Sequence, residues 1–403
     1  MAAREVFHSI FSQIEGVPFA VTFWDGQREQ YGDGEPAFAL TFHDANECAR
    51  ILANPATAFG EAYVSGALEI EGDFDRMFAG IIQADLTTIR LGWLQKAKIA
   101  WMALRQRNSI AKARENIAAH YDVGNEFYSL WLGRAMVYSG AYFKRFDDSI
   151  DQAQEQKFAH ICTKLHLKPG ETLLDVGCGW GGLLIHAAKH YGIQGTGITL
   201  SAEQEKEAKR RVVAAGLEDL VTIKYQDYRE LPEGTQFDKL VSVGMFEHVG
   251  RDNYADYMRH TTRVLKPGGL AVLQTIGSHT GRPNPWIAKY IFPGIYLPRL
   301  AEIADPLNDC GLYFTDVEVL RMHYALTLDR WADAFEEHVD DIREARGEAF
   351  TRAWRFYLRS CAAAFRYGKL TLFQVTYTKG IRNDLPLTRP VDPPTAADVT
   401  AAG

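Results

Sequence analysis

From Asp175 to Gly182 the chain reads Asp-Val-Gly-Cys-Gly-Trp-Gly-Gly, preceded by an apolar run at Glu171–Val176 and followed by an apolar helical stretch at Leu183–His190. Glycines let a backbone turn tightly and bring its amides close to a ligand, so the segment reads as a strand-to-helix turn. The region beyond it keeps the same alternation. Apolar segments at Gly195–Thr199, Val221–Tyr225, Lys239–Val243 and Leu270–Thr275 are separated by helices expected after Gly182, from Ser201 and from about Asn253. That order predicts an α/β fold with a Rossmann-like, parallel, doubly wound sheet.

In such sheets the first strand-to-helix turn is where nucleotides bind, and the helix N-terminus favours an anionic group such as a carboxylate. Gly177, Gly179, Trp180 and Gly181 form this turn, and Asp175 at the strand end is placed to meet an amino group. A dinucleotide is the competing ligand. However, the second strand ends in Thr199-Leu-Ser201, where a ribose-binding acid would stand for NAD. Thr199, Ser201 and Gln204 are instead polar contacts for a ribose or methionine part, and Asp227-Tyr228 after the third strand offers a carboxylate to an adenine amino group. Together these features predict an S-adenosylmethionine-dependent methyltransferase.

With 403 residues, two to three domains are expected. Residues 1–90 read as a small α+β domain, with strands at Ala20–Trp24 and Ala37–Phe42, and 91–114 as a basic amphipathic linker helix. Between Leu86 and Arg114 seven basic residues appear with no acid, while Trp93, Leu94, Ala97, Ala100, Trp101 and Leu104 recur at helical spacing. One reading is a linker packed on a neighbouring domain with a solvated basic face. The other is contact with an anionic membrane surface, worth about 1 kcal/mol per Lys or Arg. Residues 115–384 form the methyltransferase domain, in which 285–300 and 335–365 are expected as lipid-tunnel insertions. Residues 385–403, rich in Pro, Ala, Asp and Thr, are expected to be disordered.

Composition narrows the partners. A net charge of −7 disfavours nucleic acid, and no segment reaches the ~18 apolar residues needed to span a bilayer. Cys48, Cys162, Cys178, Cys310 and Cys361 are scattered and never in a Cys-x-x-Cys pair, which argues against disulfides and against a metal site. Without a visible secretory signal, a cytoplasmic protein is expected.

Four blocks resemble the cyclopropane-fatty-acyl-phospholipid synthases and mycolic-acid cyclopropane synthases. They are Glu115–Tyr128 with Tyr138-Ser139-Gly140-Ala141-Tyr142-Phe143; the glycine turn through Ser201; Ser242–Gly250 with Leu265–Gly269; and Tyr290–Gly294 with His323–Trp331, Tyr357–Ala362 and Gln374-Val375. The resemblance runs from about residue 115 to 378, and the N-terminal domain suits the phospholipid-acting branch. It implies methyl transfer to a cis double bond of an unsaturated phospholipid acyl chain, proton loss from the new methyl, and a cyclopropane product. It further implies peripheral association with the inner membrane face, a homodimer, and cofactor contacts from Tyr138 and Ser139.

In the family a bound bicarbonate removes the proton, held by a Cys, a Glu, a His, a backbone amide and a Tyr. The resemblance carries the Glu to Glu247, the amide to Ile276 and the Tyr to Tyr324. The Cys and His positions are here Gly140 and Gln274. Gly140 has no side chain and Gln274 donates only from a neutral amide. His248 is either a base or a helix-start packing residue, and Phe143, Phe246, Tyr290 and Phe292 are either apolar walls for the acyl chain or core. The altered pair motivates a second outcome, a methyl-branched, methylene or methylated-diene chain. A non-catalytic lipid-binding protein is the third reading.

Overall fold

The computed structural model describes residues 2–84 and 123–388. The basic stretch 91–114, the block His120–Asp122 and the tail from 389 lie outside the described residues. The chain divides into two compact units. One holds the described residues of Met1–Gln106 with Pro283–Gly294 and Trp331–Leu370; the other holds those of Arg107–Arg282, Ile295–Arg330 and Thr371–Gly403. The expected insertions near 285–300 and 335–365 thus group in large part with the N-terminal residues, so the units are not consecutive in sequence.

The first unit is built on a four-stranded sheet of order β2-β1-β3-β4, formed by β1 (Phe19–Thr22), β2 (Arg28–Tyr31), β3 (Phe38–Phe42) and β4 (Leu68–Gly72). β1 and β3 run parallel, which sets Phe19 beside Phe38 with rings 4.8 Å apart. Alternation in β3 buries Phe38, Leu40 and Phe42 on one face. The helix Pro55–Ser65 starts with Pro in its first turn and ends at Gly66, whose φ of 80° favours glycine. Gly60 in this helix admits Trp286: a Cβ there would lie 2.8 Å from the indole. Trp286 and the helix Glu348–Arg366 meet through Phe356 at 4.9 Å.

The second unit contains a seven-stranded sheet of order β10-β11-β9-β8-β5-β6-β7. Its strands are β5 (Thr172–Val176), β6 (Gln194–Thr199), β7 (Val221–Tyr225), β8 (Phe237–Val243), β9 (Leu265–Ser278), β10 (Leu312–Val319) and β11 (Leu370–Lys379). β5 to β9 pair in parallel, and β10 and β11 pair antiparallel. Strand order reverses between β5 and β8, and ligands bind beyond the strand ends at such a switch point. Separate apolar clusters flank the sheet. One centres on Leu174, Leu240 and Leu273, the other on Leu173, Val241 and Val272, as period-2 alternation of buried strands requires. Among the described residues, no helix is long and apolar enough to cross a membrane.

Candidate active site

β5 ends at Val176, and the chain turns through Gly177, Gly179 and Gly181 at φ of 86°, 54° and 78° before the helix Gly182–Tyr191. These are left-handed conformations that disfavour any side chain. At Gly177 a Cβ would also stand 2.9 Å from Met245. The Gly177 and Cys178 amides donate to the Ile198 carbonyl at 2.9 and 3.0 Å, which ties the turn to the end of β6.

The turn forms one wall of a cleft at the strand ends. Of the residues expected to hold the cofactor, Tyr138, Ser139, Asp175, Gly177, Gly179, Trp180, Thr199, Gln204, Asp227 and Tyr228 line it. Gly181 and Ser201 do not. Gly181 precedes the helix, and the Ser201 hydroxyl accepts the Gln204 amide as the N-cap of the helix Ala202–Ala214. Thr199 Oγ1 donates to Gln204 Oε1 at 2.8 Å, fixing which end of that amide remains for a ligand. Asp227 is gripped by Arg229 through Nε at 2.8 Å and Nη2 at 2.7 Å, so its carboxylate is oriented. Asp175 is buried and has no hydrogen bond or ion pair among the described residues; burial pushes its carboxyl up to about 7. A nucleoside bearing an amino acid fits this donor set: glycine amides, a buried carboxylate for an amino group, and polar groups at the ends of β6 and β7.

Sequence reasoning missed Lys157. It lines the same cleft from the helix Ile150–Lys164 and donates from Nζ to Ser139 Oγ at 2.8 Å. Its signal was a lysine on the apolar side of a helix, easily read as surface. His248 also lines this cleft, and burial lowers it to about 4, so it is neutral.

A second group of expected residues meets beyond Ser139. The Gln274 amide donates to the Gly140 carbonyl at 3.1 Å, and its oxygen accepts from Gln374 Nε2 at 2.9 Å. A Cβ at Gly140 would fall 2.7 Å from Leu372 and 3.1 Å from Tyr324, so these side chains fill the space a larger residue would use. Glu247, in the short turn Phe246–His248, accepts the Ile276 amide on Oε1 at 2.6 Å. Among the described residues its Oε2 is buried without a hydrogen-bond partner, as is Oε1 of Gln374. The Thr275 hydroxyl lies close enough to favour the charged form of Glu247, although its own bond goes to the Ile276 carbonyl at 3.3 Å. Burial dominates and pushes the Glu247 carboxyl up to about 7.

To a bicarbonate this group offers few donors. The Ile276 amide is spent on Glu247 and one Gln274 N–H on Gly140, and the buried atoms here that lack a partner among the described residues, Glu247 Oε2 and Gln374 Oε1, are acceptors. An acceptor-rich pocket suits developing positive charge instead.

Of the expected apolar walls, Phe246 is fully buried, stacked on Tyr254 at 4.1 Å within the core. Phe143 packs with Ala141 and Ala153, and its amide donates to His323 Nδ1 at 3.0 Å. Tyr290 and Phe292 belong to the first unit. Tyr290 is half-exposed and donates to Glu61 at 2.5 Å, and the Phe292 ring lies 5.7 Å from Tyr357. Among the described residues no cluster of His, Cys, Asp or Glu could hold a metal ion.

Residues 108–375 match the family model described as mycolic acid cyclopropane synthetase, and 6–90 match a domain of unknown function. A probable fatty acid methyltransferase of Pseudomonas putida is 39% identical over 383 residues, covering 93% of this chain and 95% of the relative. The cyclopropane-fatty-acyl-phospholipid synthase of Escherichia coli (strain K12) is 38% identical over 356 residues, covering 84% and 87%. Among solved structures, the mycolic acid cyclopropane synthase CmaA1 in complex with S-adenosylhomocysteine (SAH) and CTAB is similar with a TM-score of 0.62 and 31% identity, covering 66% of this chain and 98% of that one.

Proposed function

The chain belongs to the mycolic acid cyclopropane synthetase family of S-adenosylmethionine-dependent methyltransferases, and on that premise we propose that it transfers a methyl group to a double-bond carbon of an unsaturated phospholipid acyl chain. The printed names of the Pseudomonas putida and Escherichia coli relatives support a fatty acyl acceptor. The observation that carries the chemistry is the Glu247 carboxyl, buried, anchored through Oε1 and bare at Oε2, one residue from His248 on the cofactor cleft.

S-adenosylmethionine, when bound, supplies an electrophilic methyl group on a sulfonium. Asp175, the glycine turn, Thr199, Gln204 and Asp227 hold it, with Tyr138, Ser139, Trp180 and Tyr228 closing the cleft. An alkene is a weak nucleophile, so the protein's part is to exclude water and align the double bond. Bond formation at one alkene carbon leaves positive charge on the other. Glu247 Oε2 stabilises that charge and accepts the proton whose loss neutralises the chain. Tyr324, Gln274, Gly140 and Ile276 shape the pocket around it.

Loss of the proton from the transferred methyl closes a cyclopropane, and loss from a neighbouring chain carbon leaves a methyl-branched alkene. The missing side chain at Gly140 and the neutral amide at Gln274 favour the methyl-branched product. A cyclopropane is the reading that the Escherichia coli relative's name supports. Mass and fragmentation analysis of fatty acids from cells expressing the gene decides between them. A saturated ring product with no branched alkene overturns the first, and no new fatty acid at all, with no turnover of S-adenosylmethionine on unsaturated phospholipid, revives a non-catalytic lipid-binding role.

The same reading includes peripheral attachment to the anionic cytoplasmic face of a membrane, supported by the acid-free basic pattern of 91–114, and a homodimer, supported by the resemblance to the phospholipid branch.

A further inference from the structure

Lys157 takes no part in the chemistry above, yet it is among the most enclosed ionisable groups of the cofactor cleft, only 2% exposed. The helix Ile150–Lys164 presents Gln154 and Lys157 three residues apart on one face. Gln154 Nε2 donates to the Ser139 carbonyl at 3.0 Å and Lys157 Nζ to the Ser139 hydroxyl at 2.8 Å. An ammonium carries three protons, and among the described residues this hydroxyl is its one hydrogen-bond partner. Among the described residues no carboxylate lies within ion-pair distance of it; Asp175, buried in the same cleft, feels its charge without forming an ion pair with it.

Burying an unpaired cation and an unpaired anion in one cleft is costly, and proteins that keep such groups apply them to a ligand. We propose that Lys157 is the counter-charge for the α-carboxylate of the cofactor's methionine part, the complement of Asp175 at its α-ammonium. The inference rests on S-adenosylmethionine occupying this cleft. A zwitterion has both charges at adjoining positions, and so matches a site whose cation and anion stand apart. Ser139 then bridges the two: its hydroxyl, already bonded to Lys157, turns its own proton to the carboxylate. Burial pulls Lys157 down to about 7 and pushes Asp175 up to about 7, with the charge of each opposing the other's shift.

The rival is a positioning role, in which Lys157 merely holds the Tyr138–Ser139 segment. Calorimetric titration of the full-length protein with S-adenosylhomocysteine, and with the analogue lacking only the carboxylate, separates the two. The wild type should prefer S-adenosylhomocysteine by about tenfold or more, as a desolvated charge contact predicts. Lys157→Met should lose about tenfold for S-adenosylhomocysteine and little for the analogue, so that the preference collapses. Lys157→Arg should retain part of it. Equal losses for both ligands overturn the proposal in favour of positioning. Where the Met variant does not fold, Lys157→Gln, which keeps a donor without charge, serves in its place; where neither folds, a wild type showing no preference overturns it and a clear preference supports it. A wild type that binds neither ligand refutes the cofactor reading itself.

Discussion

Gln274 and Gly140, 134 residues apart in sequence, are joined by a buried hydrogen bond of 3.1 Å from the glutamine amide to the glycine carbonyl. Gln374 closes the other end of the same side chain at 2.9 Å. The link holds the segment after the cofactor-lining Tyr138-Ser139 against β9 and β11. Replacing Gln274 with Leu leaves the Gly140 carbonyl and the Gln374 amide without partners, at about 1–3 kcal/mol for each buried group. Thermal unfolding of Gln274→Leu should therefore occur several degrees below the wild type, and an unchanged melting temperature would show the link to be dispensable.

Gly140 is close-packed rather than conformationally special. Gly140→Cys should destabilise the protein by roughly 1–3 kcal/mol, because its Cβ meets Leu372 at 2.7 Å. Combining it with Leu372→Ala should recover part of that loss. A fully stable single variant would mean that Leu372 yields without cost.

Glu247 gives a pH dependence with a defined sign. Its carboxyl is raised from 4.5 to about 7 by burial, so it is an acid below that value and a carboxylate above it. If the carboxylate acts, turnover rises with pH through about 7 and levels off. The folding contribution runs the other way: a raised carboxyl lends stability that is fully present below 4.5 and lost as pH rises through about 7. Glu247→Gln should abolish the pH-dependent limb and cut turnover by roughly a hundredfold or more, with S-adenosylhomocysteine binding unchanged. Full activity in that variant would refute the assigned role.

What the sequence disclosed was what local chemistry dictates. The glycine turn, β5 to β9 and the polar ends at Thr199 and Asp227 follow from apolar runs broken by glycine, and all stand where the pattern placed them. β2, β4 and β10 escaped notice because Arg28–Tyr31, Leu68–Gly72 and Leu312–Val319 are short or interleaved with acids, and pairing with neighbouring strands makes them β structure. Lys157 was hidden for a related reason: a lysine is buried only by what folds over it. The closure of the Gly140 pocket depends on Leu372, far along the chain, and no local pattern reports that.

The basic stretch permits a test by charge reversal. Replacing Lys96, Lys98, Arg105 and Arg107 with Glu should weaken binding to anionic vesicles by at least roughly a hundredfold, at about 1 kcal/mol lost per cation, and leave cofactor affinity intact. Vesicle binding that survives the change would make this stretch a solvated face.

Arg352 supplies a test of the first unit. Its guanidinium donates to the carbonyls of Tyr63 at 2.5 Å and Leu68 at 2.9 Å and pairs with Glu69 at 3.0 Å. Arg352→Met should cost about 2–4 kcal/mol, since two buried carbonyls lose their donors. Denaturant unfolding measures it, and a change within error would mean that water replaces the guanidinium.

The discontinuous make-up of that unit bears on how the chain is made. The helices Pro55–Ser65 and Phe74–Gln83 leave the ribosome long before Glu348–Arg366, whose Phe356 lies 5.9 Å from Tyr63 and 5.6 Å from Phe78. During most of translation Tyr63 and Phe78 have Phe74 beside them but lack the ring of Phe356, which leaves apolar surface exposed until the last quarter of the polypeptide arrives. An N-terminal fragment ending near residue 90 lacks Phe356 and should for the same reason tend to aggregate.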